Sequence, residues 1–366
     1  MAEAQIILSS SRESGVVAVA SGEQYPLAYT ALRECGFQLN SDGVWSLPAE
    51  AQSALAGLLT CAKRHHTSVH MGKGAFIGDT ALDLAHQLPG QWEASVEIYP
   101  HPAGQEDLVP WVWDSGELGR AVQSERIPCA AFLTDVVQGT TLLLIDRPGN
   151  QLDYLVGAFA PEGLDVGYGD PYAPRSVVLP PSPGQAAQIL ADRYLPSYEQ
   201  AIHAHQNADI ASALGYIRSE HRTWQTLSAS GRFSDATPLS AAAFGTSTQM
   251  FLDHAWHRFL VVIDHAPTLL DRCRPDRSPW PDDAAALSRL ADAVADAKAL
   301  VDEIRGGQVS KAERRNRSWL AIKTWLTDGE VFLRQARVSA PHRRPSLPVT
   351  APPRPPAAGR ATHRGP

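Results

Sequence analysis

The sequence predicts an α+β domain with a mostly antiparallel sheet, followed by an all-α antiparallel helical bundle and a disordered C-terminal tail. Three observations carry this. Short apolar runs alternate with helical stretches up to about residue 160. Residues 161–184 are crowded with Pro and Gly. From 185 to 338 apolar residues recur at three-and-four spacing. The boundaries expected are 1–160 for the α+β domain, 161–184 for a linker, 185–338 for the bundle and 339–366 for the tail.

The elements follow in order. QIILSSS and GVVAVAS read as strands paired across SRESG. Pro26 opens a helix that Gly36 ends, with Leu27, Ala28, Ala31, Leu32 and Cys35 on one face. FQLN and VWSLP read as a hairpin about Asp42-Gly43. A helix over 49–63 turns Ala51, Leu55, Leu58, Leu59 and Ala62 inward. TSVHM is a short strand, followed by a glycine loop and the helix TALDLAHQL. EASVEIY alternates as a strand does. Asp114 and Glu117 have the spacing of a capping box. IPCAAFL, TTLLLID and DYLVGAF are three more strands, the last two joined by a type II turn at Pro148-Gly149. Four or five helices fit 185–338. The tail has too many prolines and too little apolar bulk for a core.

An apolar fraction of 44% with 19% charged residues is that of a globular chain. No apolar run approaches the roughly 18 residues of a membrane span. The opening MAEAQIILSSSRESG lacks the basic region of a signal peptide. Cys35, Cys61, Cys129 and Cys273 form no CxxC, which argues for reduced thiols rather than a disulfide scaffold or zinc ribbon. The expectation is a cytoplasmic protein without membrane contact, its oligomeric state left open.

The densest group of reactive side chains is DHAWHRFLVVIDH, residues 253–265. On a helix, Leu252, Ala255, Trp256, Phe259 and Ile263 cover one face, while His254, His257, Asp264 and His265 fall together on the other. A metal bound by His254, His257 and His265, serving a metal-dependent hydrolase, is one reading. A buried bundle site, however, draws inward-pointing ligands from several helices, and the chain has neither Glu-x-x-His nor HExxH. The stripe therefore reads better as a solvated or partner-facing surface.

HMGKGAFIGD offers a second candidate, with Gly72, Lys73, Gly74 and Gly78 ahead of a helix capped by Asp79 or Thr80. Such a loop can hold a phosphate ligand. It is neither GxGxxG nor a P-loop, and an aspartate at the helix start would repel an anion. Cys61 and His65 stand four apart on a helix, and without an electropositive setting they read as structural. Asp165 and Asp170 in LDVGYGDPY lack EF-hand spacing. Trp111 and Trp113 can stack a ligand or fill the core. No motif implies a cofactor, and none marks a catalytic residue.

The net charge of −7 hides an asymmetry. Residues from Arg305 onward carry 13 basic and three acidic side chains, leaving 19 basic and 36 acidic before them. Arg314, Arg315, Arg317 and Lys323 lie on one predicted helix, and Arg343 and Arg344 in the tail. These are the candidate partner-binding residues, for nucleic acid or an acidic protein. APPRPP could also present a polyproline ligand. The arginine excess, 27 Arg to five Lys, is also what a GC-rich genome produces.

QEDLVPWVWDSGELGRAV, LLLIDRPG, YLVGAFAP, PRSVVLP and DHAWHRF resemble a group of uncharacterised cytoplasmic proteins of high-GC actinobacteria. That resemblance implies a cytoplasmic location and no known activity. The leading expectation is a non-catalytic binding or accessory protein contacting its partner through the bundle and basic C-terminus.

Overall fold

A computed structural model describes residues 4–47, 55–149, 152–167, 169–233, 235–273 and 282–339. The tail, with Arg343 and Arg344, lies outside the described residues. So do residues 49–54 of the helix expected over 49–63.

Alternating burial along β1 (Ala4–Ser11) puts Ile6 and Leu8 into the first core. The chain reverses at Gly15, whose φ of 72° suits a residue without a side chain, and returns as β2 (Gly15–Ser21). Helix α1 (Tyr25–Glu34) follows, then β3 (Gln38–Leu39), β4 (Trp45–Leu47), α2 (Leu55–Arg64) and β5 (Thr67–Ala75). The sheet order is β3-β4-β2-β1-β5, with β1 and β5 parallel and the other pairs antiparallel. Both helices pack on its core of Ile6, Ala18, Leu32, Trp45 and Leu58. Leu59, expected inward, is 67% exposed, because α2 meets the core of this sheet along Leu55, Leu58, Cys61 and Ala62.

A second sheet is antiparallel throughout. It comprises β6 (Trp92–Ile98), β8 (Cys129–Asp135), β9 (Thr141–Asp146), β10 (Tyr154–Phe159) and β11 (Val177–Leu179) in the order β11-β10-β9-β8-β6, and β7 (Val112–Trp113) also pairs with β10. Its central strands are buried on both faces, hence their continuous apolar runs. Helices α3 (Ile77–Gln87) and α6 (Pro183–Ile189) cover one face, over Leu133, Leu144 and Val156. Helix α5 (Glu117–Ser124) covers the other, over Phe132, Leu143 and Leu155, with the short α4 (Pro102–Glu106) beside it. Strand β11 and the helix start at Pro183 both lie within the stretch expected as linker.

The capping box at Asp114 is not formed. The Gly119 N–H donates to Asp114 Oδ2 at 2.7 Å, two residues before the cap, and Glu117 instead accepts from Arg147 at 2.7 and 3.0 Å.

After α6 a π-helical turn, Leu190–Tyr194, leads into α7 (Leu195–Ser230). Pro196 explains the widened turn: it has no N–H, and its ring clashes with the carbonyl four residues back. Helix α7 is about 54 Å long at 1.5 Å per residue. With α8 (Ala241–Arg272), α9 (Asp283–Arg305) and α10 (Lys311–Val338) it forms the bundle. Ser240 Oγ caps α8, and Ser310 Oγ, accepting from the Glu313 N–H at 3.2 Å, caps α10. Leu214, Phe259, Leu290, Trp325 and Phe332 fill the centre. The π-helical turn and the first turns of α7 belong to the sheet's core through Tyr194, Tyr198 and Ala201, so the two halves share hydrophobic packing.

Candidate functional site

Where sheet and bundle meet, polar side chains form a row. Asp170, in the loop after β10, accepts from the Trp113 indole N–H at 2.9 Å and from the Tyr172 N–H at 2.8 Å. Its Oδ2 also lies 3.0 Å from His205 Nε2 on α7. The other ring nitrogen of His205 is 2.9 Å from Asp209 Oδ2, one turn along, though out of line for a hydrogen bond. Asp209 Oδ2 is in turn 3.6 Å from His265 Nε2 on α8. The rings of Trp113 and Tyr172 stand edge-on to His205 and close its sides. Only 4% of the Asp170 side chain and 9% of His205 are exposed. Two buried charged-type groups in contact are compensated in a way that neither alone would be.

His265 opens onto a cleft of about 870 Å³ between the sheet domain and α7, α8 and α9. Glu162 and Leu164 form one wall, Gln206, Asp264 and Arg272 others, and Lys298 and Arg305 approach from α9. Burial lowers the His265 pKa from its ordinary value; Asp209 and Asp264 partly oppose this. An imidazole kept neutral and backed by a carboxylate can accept a proton. Among the described residues, the lining contains no serine or cysteine to act as its nucleophile.

The candidate metal set is split. His254 and His257 are exposed, whereas His265 turns toward Asp209. Among the described residues, no group of three or more His, Cys, Asp or Glu side chains is placed to hold a metal ion.

The expected glycine loop is strand. Residues 71–75 continue β5, and a bulge opposes Met71–Ala75 to Leu8–Ser10. A Cβ on Gly72 would stand 2.4 Å from Ser9 Oγ and 2.9 Å from the Leu8 carbonyl oxygen; one on Gly78 would meet the Phe76 ring at 2.5 Å. Close packing is thus a sufficient reason for both glycines. Neither Asp79 nor Thr80 caps α3, which begins at Ile77. Asp79 accepts instead from the Arg12 N–H at 2.7 Å and from Ser11 Oγ at 3.2 Å. Its carboxylate occupies the first turn where an anion would sit.

The basic residues divide. Arg317 donates to Glu303 on α9 at 2.5 and 3.1 Å. Lys323 is exposed, and by the helical period it lies on another face of α10. Arg314 and Arg315 remain together: with Lys311 they line a groove of about 420 Å³ between α8 and α10, floored by Leu252, Trp256 and Ser318. No carboxylate among the described residues forms an ion pair with these three cations. The one acidic side chain in the lining, Asp253, accepts from Gln249. Of the two tryptophans noted in the sequence, Trp113 is buried and Trp111 is 68% exposed.

No protein-family model, curated protein or solved structure matches the chain. Among the described residues, no helix is long and apolar enough to cross a membrane.

Sequence reasoning missed the seam between the halves. Asp170 lies in a Pro/Gly-rich stretch that reads as linker, and His205 in a helix with no motif around it. The one available signal was His205 with Asp209 at i and i+4, a spacing that places two side chains on one helical face.

Proposed function

We propose that the protein is a non-catalytic cytoplasmic binding protein that takes an acidic partner in the groove between α8 and α10. The observation carrying this reading is the set Lys311, Arg314 and Arg315, three cations without ion-pair partners among the described residues, beside the apolar Leu252 and Trp256. An acidic protein segment suits this groove better than a nucleic-acid backbone. Three cations neutralise few phosphates, and residues 1–304, with 36 acidic against 19 basic side chains, repel a long polyanion. The test is the affinity of a labelled glutamate-rich peptide, and of an oligonucleotide of equal charge, across a salt series. The peptide is expected to bind more tightly than the oligonucleotide. Arg314→Glu with Arg315→Glu should weaken it about tenfold, at about 0.7 kcal/mol for each screened contact. Equal affinity in the double variant, or no peptide binding at low salt, overturns the reading. Tighter oligonucleotide binding replaces it with a nucleic-acid reading.

A second reading has its own observation: His265 on the wall of the 870 Å³ cleft suits a small polar ligand there. A ligand screen by thermal shift tests it, with His265→Gln expected to abolish any stabilisation found. A shift that survives this substitution places the ligand elsewhere.

A further inference from the structure

A further cavity, of about 660 Å³, opens on the second sheet domain. One wall is β7 with the first turns of α5, and the other comes from the loop between β10 and β11. Hydrogen bonds stitch these walls together. The Ser115 N–H donates to the Pro174 carbonyl oxygen at 2.9 Å, and Ser115 Oγ donates to that of Ala173 at 2.8 Å. The Leu118 N–H donates to Ser176 Oγ at 3.0 Å, and the Ser176 N–H donates to Asp114 Oδ1. The cavity is therefore preformed, and a ligand entering it has little left to order. Its volume lies in the range of small-molecule sites. Among the described residues, it shares no lining residue with the groove or the cleft.

The charged groups of the lining are unequally committed. Asp114 accepts on Oδ1 from Ser176 and on Oδ2 from the Gly119 N–H. Asp170 accepts on Oδ1 from the Tyr172 N–H and on Oδ2 from the Trp113 indole. Both oxygens of each carboxylate are thus engaged, which leaves a cationic ligand poorly served. Arg120 on α5 and Arg175 on the facing loop are exposed, and neither guanidinium has an ion pair or hydrogen bond among the described residues. Each keeps its planar fork of donors for a carboxylate or phosphate. Val112, Val122 and Val166 supply an apolar part of the lining. Gly167 and Gly169 leave open space where a side chain would stand, so the backbone is within reach there.

We propose that this cavity binds a small organic anion, its phosphate or carboxylate clamped between Arg120 and Arg175 and its apolar end against the three valines. The site is separate from the α8–α10 groove and from the His265 cleft, and it meets the polar seam at Asp170.

The test is a ligand-observed NMR titration of the full chain with phenyl phosphate, with phenol and with inorganic phosphate. Phenyl phosphate is expected to bind at least about fivefold more tightly than either, since phenol lacks the charge and inorganic phosphate the apolar end. Arg120→Gln and Arg175→Gln should each weaken it about fivefold. Both side chains are exposed and unbonded, so the variants should melt as the wild type does without ligand. Hydrogen–deuterium exchange on the wild type stands independently of any variant: phenyl phosphate should slow exchange at 112–123 and 169–176. No binding at millimolar phenyl phosphate would overturn the proposal, as would phenol or inorganic phosphate binding equally well. So would binding that survives both substitutions, or that is lost only in Arg314→Glu with Arg315→Glu, which would put the anion in the α8–α10 groove instead.

Discussion

His254 and His265 lie on the same helix, three turns apart and about 20° from each other round its axis by the helical period. Yet His254 is solvated, while His265 is half-buried against Asp209 and faces a cleft. What separates them is cover. The loop after β10 reaches the start of α7 and the C-terminal half of α8, bringing Asp170 to His205 and walling the cleft with Glu162 and Leu164. Among the described residues, none from the sheet domain lines the groove that the N-terminal half of α8 forms with α10. An amphipathic pattern tells which side of a helix avoids its own bundle. It cannot tell what else covers that side. The covered half holds the buried polar seam, and the uncovered half holds the groove assigned to a partner.

The largest effect is expected at the seam. Asp170→Ala removes the acceptor of the buried Trp113 indole N–H and of the part-buried Tyr172 N–H, and the neighbour of His205, and should cost about 3 kcal/mol in urea denaturation. A loss below about 1 kcal/mol would mean that water replaces Asp170 and that the seam is open. Next come the glycines: Gly72→Ala and Gly78→Ala should each destabilise by about 2 kcal/mol, because their added Cβ atoms meet fixed neighbours. Unchanged stability would restore a pliable loop at 72–78.

Acid comes third. Burial lowers the pKa of His203, His221 and His265 from 6.5. Each therefore binds fewer protons folded than unfolded, so its contribution is present above about 6.5 and lost as pH falls toward the lower folded value. Midpoints should decline over that window, and His265→Asn should flatten the decline. A stability profile rising on acidification contradicts this burial. The smallest effect belongs to the uncovered stripe: His254→Ala and His257→Ala should each stay within about 0.5 kcal/mol.

Much of the architecture was legible because apolar period reports burial directly. The runs IPCAAFL, TTLLLID and DYLVGAF hold the strands at 129–135, 141–146 and 154–159, and the three-and-four spacing after 185 is the bundle. The errors share one cause, which is that chemistry between distant segments has no local signature. Gly72 reads as loop punctuation, yet it marks where β5 passes close to Ser9 and Leu8. Arg317 reads as a free cation until α9 supplies Glu303. Asp170 gains its partners only when β7 and α7 arrive.

Hydrogen–deuterium exchange with and without a saturating glutamate-rich peptide locates the partner on the surface rather than merely detecting it. Slowed exchange should concentrate in 249–256 and 311–318, leaving the seam at 203–209 unchanged. Protection over the cleft-facing 260–272 instead, or none at saturation, would contradict the groove as the binding surface.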